Sequence, residues 1–359
     1  MRRIAIIVGT RPQIIKTAPI VKVLERIGEP EFIIVNTGQH YDYQMNRLFF
    51  EELELPEPSI NLEIGPGTPN EQIARIIDGI GRKLPLSKPD IAVIPGDTNS
   101  ALGAAIACSK SQIKIAHLES GCRSYDLRMS EEINRRVIDH ISEVLLCPTS
   151  ACFENLKSEK VPAFVIENIG DTMLDSILQW SKLIDDSPVM QKYRLMAGSY
   201  VFMTLHRAEN VDVETNLASI IRAVGKLEVP IVFPVHPRTK GKLAQLGINV
   251  SKNIVTIEPV SYFDSLRLIR GASFVITDSG GVQKEAYWMK RPALILREQT
   301  EWMEIVKTGN SILVGNNFEN IRQATEMIKN INEKAFDETL FGDGHAAEKA
   351  VSVITNYVH

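Results

Sequence analysis

The sequence predicts an α/β protein built from two doubly wound, Rossmann-type domains. Three observations carry that expectation. Short apolar runs alternate with longer amphipathic segments throughout, the pattern of buried parallel strands separated by helices. The runs fall into two sets, each of about the size a doubly wound sheet needs. At 359 residues the chain also exceeds what one hydrophobic core normally serves.

The first set of expected strands is 4–8, 32–35, 91–94, 113–118, 144–146 and 164–166. The second is 201–205, 231–235, 254–257, 274–277, 293–296 and 311–314. Helices are expected between them. Ile20, Val23, Leu24 and Ile27 keep the i, i+3, i+4, i+7 spacing of one helix face, and Gly28 follows as a C-cap. Ile73, Ile76, Ile77 and Ile80 repeat the pattern, as do Leu217, Ile220, Ile221 and Val224. The break between domains is expected at 168/169, before a long helical connection that starts at Thr172. This gives domains 1–168 and 169–344, with a final helix, 345–359, after Gly342-Asp343-Gly344.

Composition narrows the function classes. A net charge of −4 argues against a general nucleic-acid or anionic-membrane binder. Cys108, Cys122, Cys147 and Cys152 form no C-x-x-C pair and no Cys/His ligand spacing, which disfavours a structural zinc site and fits a reducing cytoplasm. The N-terminal apolar run is short and ends in Thr-Arg-Pro, so it reads as a first strand and not as a signal peptide. No apolar stretch approaches the ~20 residues of a membrane span.

Polar residues gather where the expected strands end, which is where open α/β sheets bind ligands. Gly9-Thr10-Arg11-Pro12 follows the first strand, with Lys16 one turn into the next helix. Gly96-Asp97-Thr98 and Glu119-Ser120-Gly121 follow two others, and His206-Arg207 and His236-Pro237-Arg238 open turns in the second half. Asp278-Ser279-Gly280-Gly281 ends an apolar run and opens a helix, leaving backbone N–H groups free at the positive end of a helix dipole. That is an anion site, whose usual occupant is phosphate, and Glu285 lies inside the helix where a carboxylate could grip ribose hydroxyls. Each feature has a plainer meaning. Ser279 is also an N-cap in a simple strand-to-helix turn, and Asp97 and Glu119 stand where caps occur. Glu131, Glu132 and Arg135 read as well as an exposed, ion-paired helix face. No Gly-x-Gly-x-x-Gly follows the first strand and no Walker A sequence occurs, so neither a dinucleotide cofactor nor P-loop chemistry is expected.

Together these motifs resemble the non-hydrolysing UDP-N-acetylglucosamine 2-epimerases. The resemblance rests on Gly9-Thr10-Arg11-Pro12 with Lys16, Gly96-Asp97-Thr98, His117-Leu118-Glu119-Ser120-Gly121 with Arg123, and Glu131-Glu132-Ile133-Asn134-Arg135. His206-Arg207, Asp278-Ser279-Gly280-Gly281 with Glu285, and Gly342-Asp343-Gly344 complete it in the family's order. It implies a GT-B-like fold of two facing Rossmann-type domains, with the last helix crossing back to the first. It implies reversible conversion of UDP-GlcNAc to UDP-ManNAc in a cytoplasmic homodimer, without NAD or metal. Elimination of UDP would leave 2-acetamidoglucal, to which UDP adds back. Asp97, Glu119, Glu131 and His206 would be catalytic. Arg11, Lys16, Arg135, Arg207, Ser279, Gly280, Gly281 and Glu285 would bind substrate. Gln39, His40 and His236 fall where part of a second, activating UDP-GlcNAc site lies in bacterial relatives. The chain departs from the family pattern at Thr300-Glu301-Trp302-Met303-Glu304, where Trp302 replaces an arginine. It also departs at Pro259-Val260-Ser261-Tyr262, which lacks a glutamine, and at Met129-Ser130, which replaces prolines. A glycosyltransferase, a hydrolysing epimerase and a non-catalytic sugar-nucleotide sensor are the alternatives.

Overall fold

The structure is a computed structural model, and it describes residues 2–39, 47–328, 331 and 336–358. The chain forms two compact units, one of Met1–Trp180 with Thr339–His359 and one of Ser181–Glu338.

The sheet of unit one contains β1 (Arg3–Val8), β2 (Glu31–Asn36), β3 (Ile60–Asn61), β4 (Ile91–Pro95), β5 (Lys114–Leu118), β6 (Val144–Cys147) and β7 (Val165–Asn168). They are parallel, in the order β3-β2-β1-β4-β5-β6-β7. Unit two carries β8 (Val201–Thr204), β9 (Ile231–Pro234), β10 (Ile254–Ile257), β11 (Val275–Thr277), β12 (Ala293–Ile295) and β13 (Ser311–Leu313), in the order β10-β9-β8-β11-β12-β13. Twelve of these strands coincide, within a residue or two, with the apolar runs of the sequence. The two-residue β3, which pairs Val35 and Asn36 with Ile60 and Asn61, was not expected. It is too short to leave an apolar signature.

Burial explains why plain apolar runs become strands. Every residue of β4 is buried, as a central parallel strand covered on both faces must be. At the edge, β10 keeps only its first and last residues inside. In unit one Ala5, Ile7, Val35, Ile94 and Ile115 meet Ile76 and Ile80 of the helix Pro69–Lys83. In unit two Val201, Phe233, Ile276 and Leu294 meet Leu217, Ile220 and Ile221 of the helix Glu214–Val224.

The division between units differs from the one expected at 168/169. The helix Thr172–Gln179 belongs to unit one. Its Ser176 hydroxyl donates to the Ile15 carbonyl at 2.7 Å, and its Asp175 carboxylate accepts the Ala347 N–H of the final helix at 2.7 Å. Just before it, the Asp171 N–H donates to the Phe341 carbonyl at 2.8 Å. Gly170 and Gly342 allow that crossing. Both have positive φ, and a Cβ on Gly342 would lie 2.9 Å from the Gly170 Cα. The terminal part of unit one therefore starts at Thr339, before the final helix Ala346–Tyr357. No described helix is long and apolar enough to cross a membrane.

Candidate active site

In each sheet the strand order reverses between two neighbouring strands. These are β1 and β4 in unit one, and β8 and β11 in unit two. Turns leaving such a pair diverge and open a crevice at the strand ends. The motifs at Gly9, Gly96, His206 and Asp278 follow these four strands, while Glu119 follows β5 and His236 follows β9, one strand further out.

In unit one, β1 leads through Gly9 into the helix Arg11–Ile27. A Cβ on Gly9 would strike the Thr37 hydroxyl oxygen at 1.9 Å, so only glycine fits. Arg11 is exposed at the start of the helix, 6.0 Å from the Phe49 ring. One turn on, the Lys16 ammonium pairs with the Glu119 carboxylate, each side chain only 13% and 12% exposed. Glu119 follows β5 with φ +69°, a left-handed backbone uncommon for a non-glycine residue. Asp97 follows β4 and pairs with Arg135, while its carbonyl accepts the Asn134 side-chain amide at 2.8 Å. Asp97 is not the cap of the next helix. Thr98 is, and its side chain accepts the Ala101 N–H. No helix begins after Glu119 either; the next one, Ser130–Ile141, is preceded by Met129.

The helix Ser130–Ile141 is not an exposed charged face. Glu132 and Arg135 are buried, and Arg135 Nη1 lies 3.2 Å from Glu132. Burial alone would raise the Glu132 carboxyl. The Ser124 amide, the Arg136 and Arg135 guanidiniums and the Ser124 hydroxyl outweigh it and hold the group below its ordinary value. Glu131 is half-buried in the first turn, accepting the Ser130 hydroxyl at 3.2 Å. One turn beyond Arg135, the fully buried Asp139 accepts from His117 Nδ1 at 2.7 Å, Gly121 N–H at 3.2 Å and Arg123 at 2.7 Å. His117 Nε2 donates to the Gly96 carbonyl at 2.9 Å, and Arg123 holds Glu159 in a two-bonded fork. Asp139 thus ties together the turns that carry Asp97 and Glu119. Burial opposes its charge, but His117 and Arg123 keep the carboxyl below the usual range. The sequence reading gave Asp139 and Glu159 no role. The signal for Asp139 was its phase, four residues after Arg135 and beside Ile138 on the buried face.

In unit two, the helix Gly280–Trp288 starts directly after β11, with Ser279 as N-cap. The Ser279 hydroxyl accepts the Val282 N–H at 3.5 Å, and its own N–H donates to the Thr277 hydroxyl at 3.0 Å. The amides of Gly280 and Gly281 are first-turn donors, which no intrahelical carbonyl can satisfy. The cap reading of Ser279 therefore holds. The glycines differ. A Cβ on Gly280 would meet the Glu301 carboxylate at 2.3 Å, whereas one on Gly281 would come no nearer than 3.9 Å, to Glu285. Glu285 is buried two-thirds of the way along the helix. His206 and Arg207 follow β8, and their N–H groups reach Asp278 at 3.0 and 2.8 Å. The divergent segment 300–304 is well anchored. Arg297 pairs with Glu301 at 2.8 Å, and the buried Lys284 lies 4.2 Å from the Trp302 ring. A cation over an indole is an attractive contact. The sequence reading gave Lys284 no role either.

Gln39 accepts from the Ser100 N–H at 2.9 Å and the Ser100 hydroxyl at 2.7 Å. His236 caps the helix Pro237–Gln245, and its ring lies 6.0 Å from that of His206. His40 lies outside the described residues. No group of three metal-type ligands occurs among the described residues.

A sequence profile of the UDP-N-acetylglucosamine 2-epimerase family matches residues 22–355. The chain belongs to that family. A Methanococcus maripaludis protein named as a UDP-N-acetylglucosamine 2-epimerase homolog is 43% identical, covering 99% of both chains. The UDP-2,3-diacetamido-2,3-dideoxy-D-glucuronate 2-epimerase of Pseudomonas aeruginosa is 38% identical over 97% of this chain and 98% of its own. The crystal structure of Methanocaldococcus jannaschii UDP-GlcNAc 2-epimerase, in complex with UDP-GlcNAc and UDP, superposes with a TM-score of 0.92 at 40% identity, covering 99% of each chain. The fold is GT-B-like, with two Rossmann-type units.

Proposed function

We propose that this chain interconverts UDP-N-acetylglucosamine and UDP-N-acetylmannosamine by inverting C2, without hydrolysing the sugar nucleotide. The observation that carries the reading is the crowding of Asp97 and Glu119, each held by a cation, at the switch point of unit one. A nucleotide-binding protein has no need of them. Family membership supports the substrate, and so does the M. jannaschii relative with UDP-GlcNAc bound.

The C2 proton has no neighbouring carbonyl and is not acidic. Elimination solves the problem. The C1–O bond breaks with its electron pair leaving on UDP, a carboxylate takes the C2 proton, and 2-acetamidoglucal remains. Re-addition of UDP with protonation on the opposite face gives the epimer. Asp97, Glu119 and Glu131 are assigned the proton transfers, with Lys16 and Arg135 orienting the first two. The Gly280 and Gly281 amides, His206, Arg207 and Arg11 are assigned the diphosphate, whose charge grows as C1–O breaks. Glu285 is assigned the ribose. The turn after β1, Gly9-Thr10-Arg11-Pro12, is not a dinucleotide fingerprint, which favours this route over oxidation at C3. The reading includes a cytoplasmic homodimer that supplies an activated sugar for polysaccharide assembly.

Incubation with UDP-GlcNAc in D₂O, followed by NMR, tests the assignment. UDP-ManNAc should appear with deuterium at C2 and no added NAD or metal. A requirement for NAD, release of only UDP and free sugar, or transfer to an acceptor would overturn it. Preferential turnover of the diacetamido-glucuronate named for the Pseudomonas relative would keep the chemistry and change the substrate.

The phosphate assignment makes a separate prediction. Gly281→Val places its side chain beside the first-turn amides without a clash at Cβ and should weaken UDP by about 10- to 100-fold, the ~1.5–3 kcal/mol of hydrogen bonds to a charged group. Ser279→Ala should weaken it far less, because the glycine amides remain. Calorimetry with UDP measures both, and unchanged affinity in Gly281→Val would move the phosphate elsewhere.

A further inference from the structure

Asp278 is an odd neighbour for a phosphate. Its carboxylate is fully buried one residue before Ser279, where an extra negative charge opposes anion binding. Its partners show what it serves instead. Oδ2 accepts the N–H groups of Arg207 at 2.8 Å and His206 at 3.0 Å, and the Asn210 side-chain amide at 3.3 Å. Oδ1 faces His206 Nδ1 at 3.1 Å. Asn210 is held in turn by the Leu296 carbonyl at 2.8 Å. Asp278 and His206 follow β11 and β8, which are paired through Thr277 and Thr204, whose hydroxyl oxygens are 2.6 Å apart. The dyad is thus fixed at both roots. The His206 side chain is 40% exposed, so the ring is braced on its Nδ1 edge and open elsewhere.

A carboxylate that accepts Nδ1–H fixes the tautomer of an imidazole and leaves Nε2 to exchange a proton. The neighbouring His236 is not equivalent, since its Nδ1 accepts the Arg238 N–H at 3.2 Å. We propose that Asp278 is a positioning residue that acts through His206, holding Nδ1 protonated so that Nε2 serves the departing diphosphate. This rests on the nucleotide-sugar reading above. His206 enters the step as the imidazolium, with Nδ1–H on Asp278 and Nε2–H toward the diphosphate. As C1–O breaks, its electron pair goes to the β-phosphate oxygen, and the Nε2 proton moves to that oxygen. The ring is left neutral, with Nδ1–H still on Asp278. On re-addition the phosphate oxygen forms the new C1–O bond and the proton returns to Nε2.

Asp278→Asn tests the proposal with little change of shape. Its side-chain oxygen can still accept the Arg207 and His206 N–H groups, but its NH₂ then faces Nδ1 and forces the proton to Nε2. Turnover should fall by about 10²-fold or more, with KM, UDP affinity and melting temperature nearly unchanged. In a His206→Ala background the same substitution should cost less than about threefold, because interacting residues are non-additive. Ring ¹⁵N NMR of His206 should show Nδ1 protonated in the wild type, with Nε2 protonated as well when UDP is bound, and Nε2 alone protonated in Asp278→Asn, whose neutral ring is a far weaker acid, with or without turnover. Equal losses in both backgrounds, or a tautomer that does not change, would overturn the proposal. An inactive wild type whose tautomer still switches would remove the nucleotide-sugar reading and leave the coupling of Asp278 to His206 standing.

Discussion

Asp139→Ala should destabilise the protein by about 3–5 kcal/mol, the cost of breaking a buried ion pair from one side. The substitution strips His117, Arg123 and the Gly121 N–H of one shared acceptor, and none of these side chains reaches water. Arg123 keeps Glu159, so the loss is not total. Asp139→Asn keeps the shape and one acceptor oxygen and should cost less. Urea unfolding measures both. A loss below about 1 kcal/mol for the alanine variant would mean that water enters and replaces the carboxylate.

Asp97→Asn, Glu119→Gln and Glu131→Gln should each lower turnover by about 10²- to 10⁴-fold, the usual contribution of a positioned acid or base. UDP affinity should survive, because these groups are assigned to the hexose. The three need not respond alike. Glu119→Gln also removes the charge paired with Lys16, and Asp97→Asn removes one carboxylate charge from Arg135, which keeps Glu132. These two variants therefore should also raise KM. Near-normal turnover in both Asp97→Asn and Glu131→Gln would refute the proton-transfer assignment. Steady-state kinetics with UDP-GlcNAc decides this.

The sheets were legible because parallel strands buried on both faces are nearly pure apolar runs. The strand-end motifs were legible because charge beside such a run is unusual. Four things were not. β3 is too short to carry a pattern. The domain division depends on which neighbour the helix Thr172–Gln179 packs against, a long-range choice made by Ser176 with Ile15 and Asp175 with Ala347. The buried roles of Asp139, Lys284 and Asp278 depend on partners far away in sequence. Glu132 and Arg135 looked like surface residues because i,i+4 spacing alone does not say which face of a helix is covered.

Unit one is written in two pieces, with all of unit two between them. All of unit two precedes in the chain the segment Thr339–His359 that completes its companion. The helices Arg11–Ile27 and Thr172–Gln179 must wait for Ala346–Tyr357 to arrive. Until then the places later covered by Ala347, Val351 and Ile354 stand open, and such surface is where nascent chains associate wrongly. The packing of unit one therefore closes only with residues that follow all of unit two in the chain.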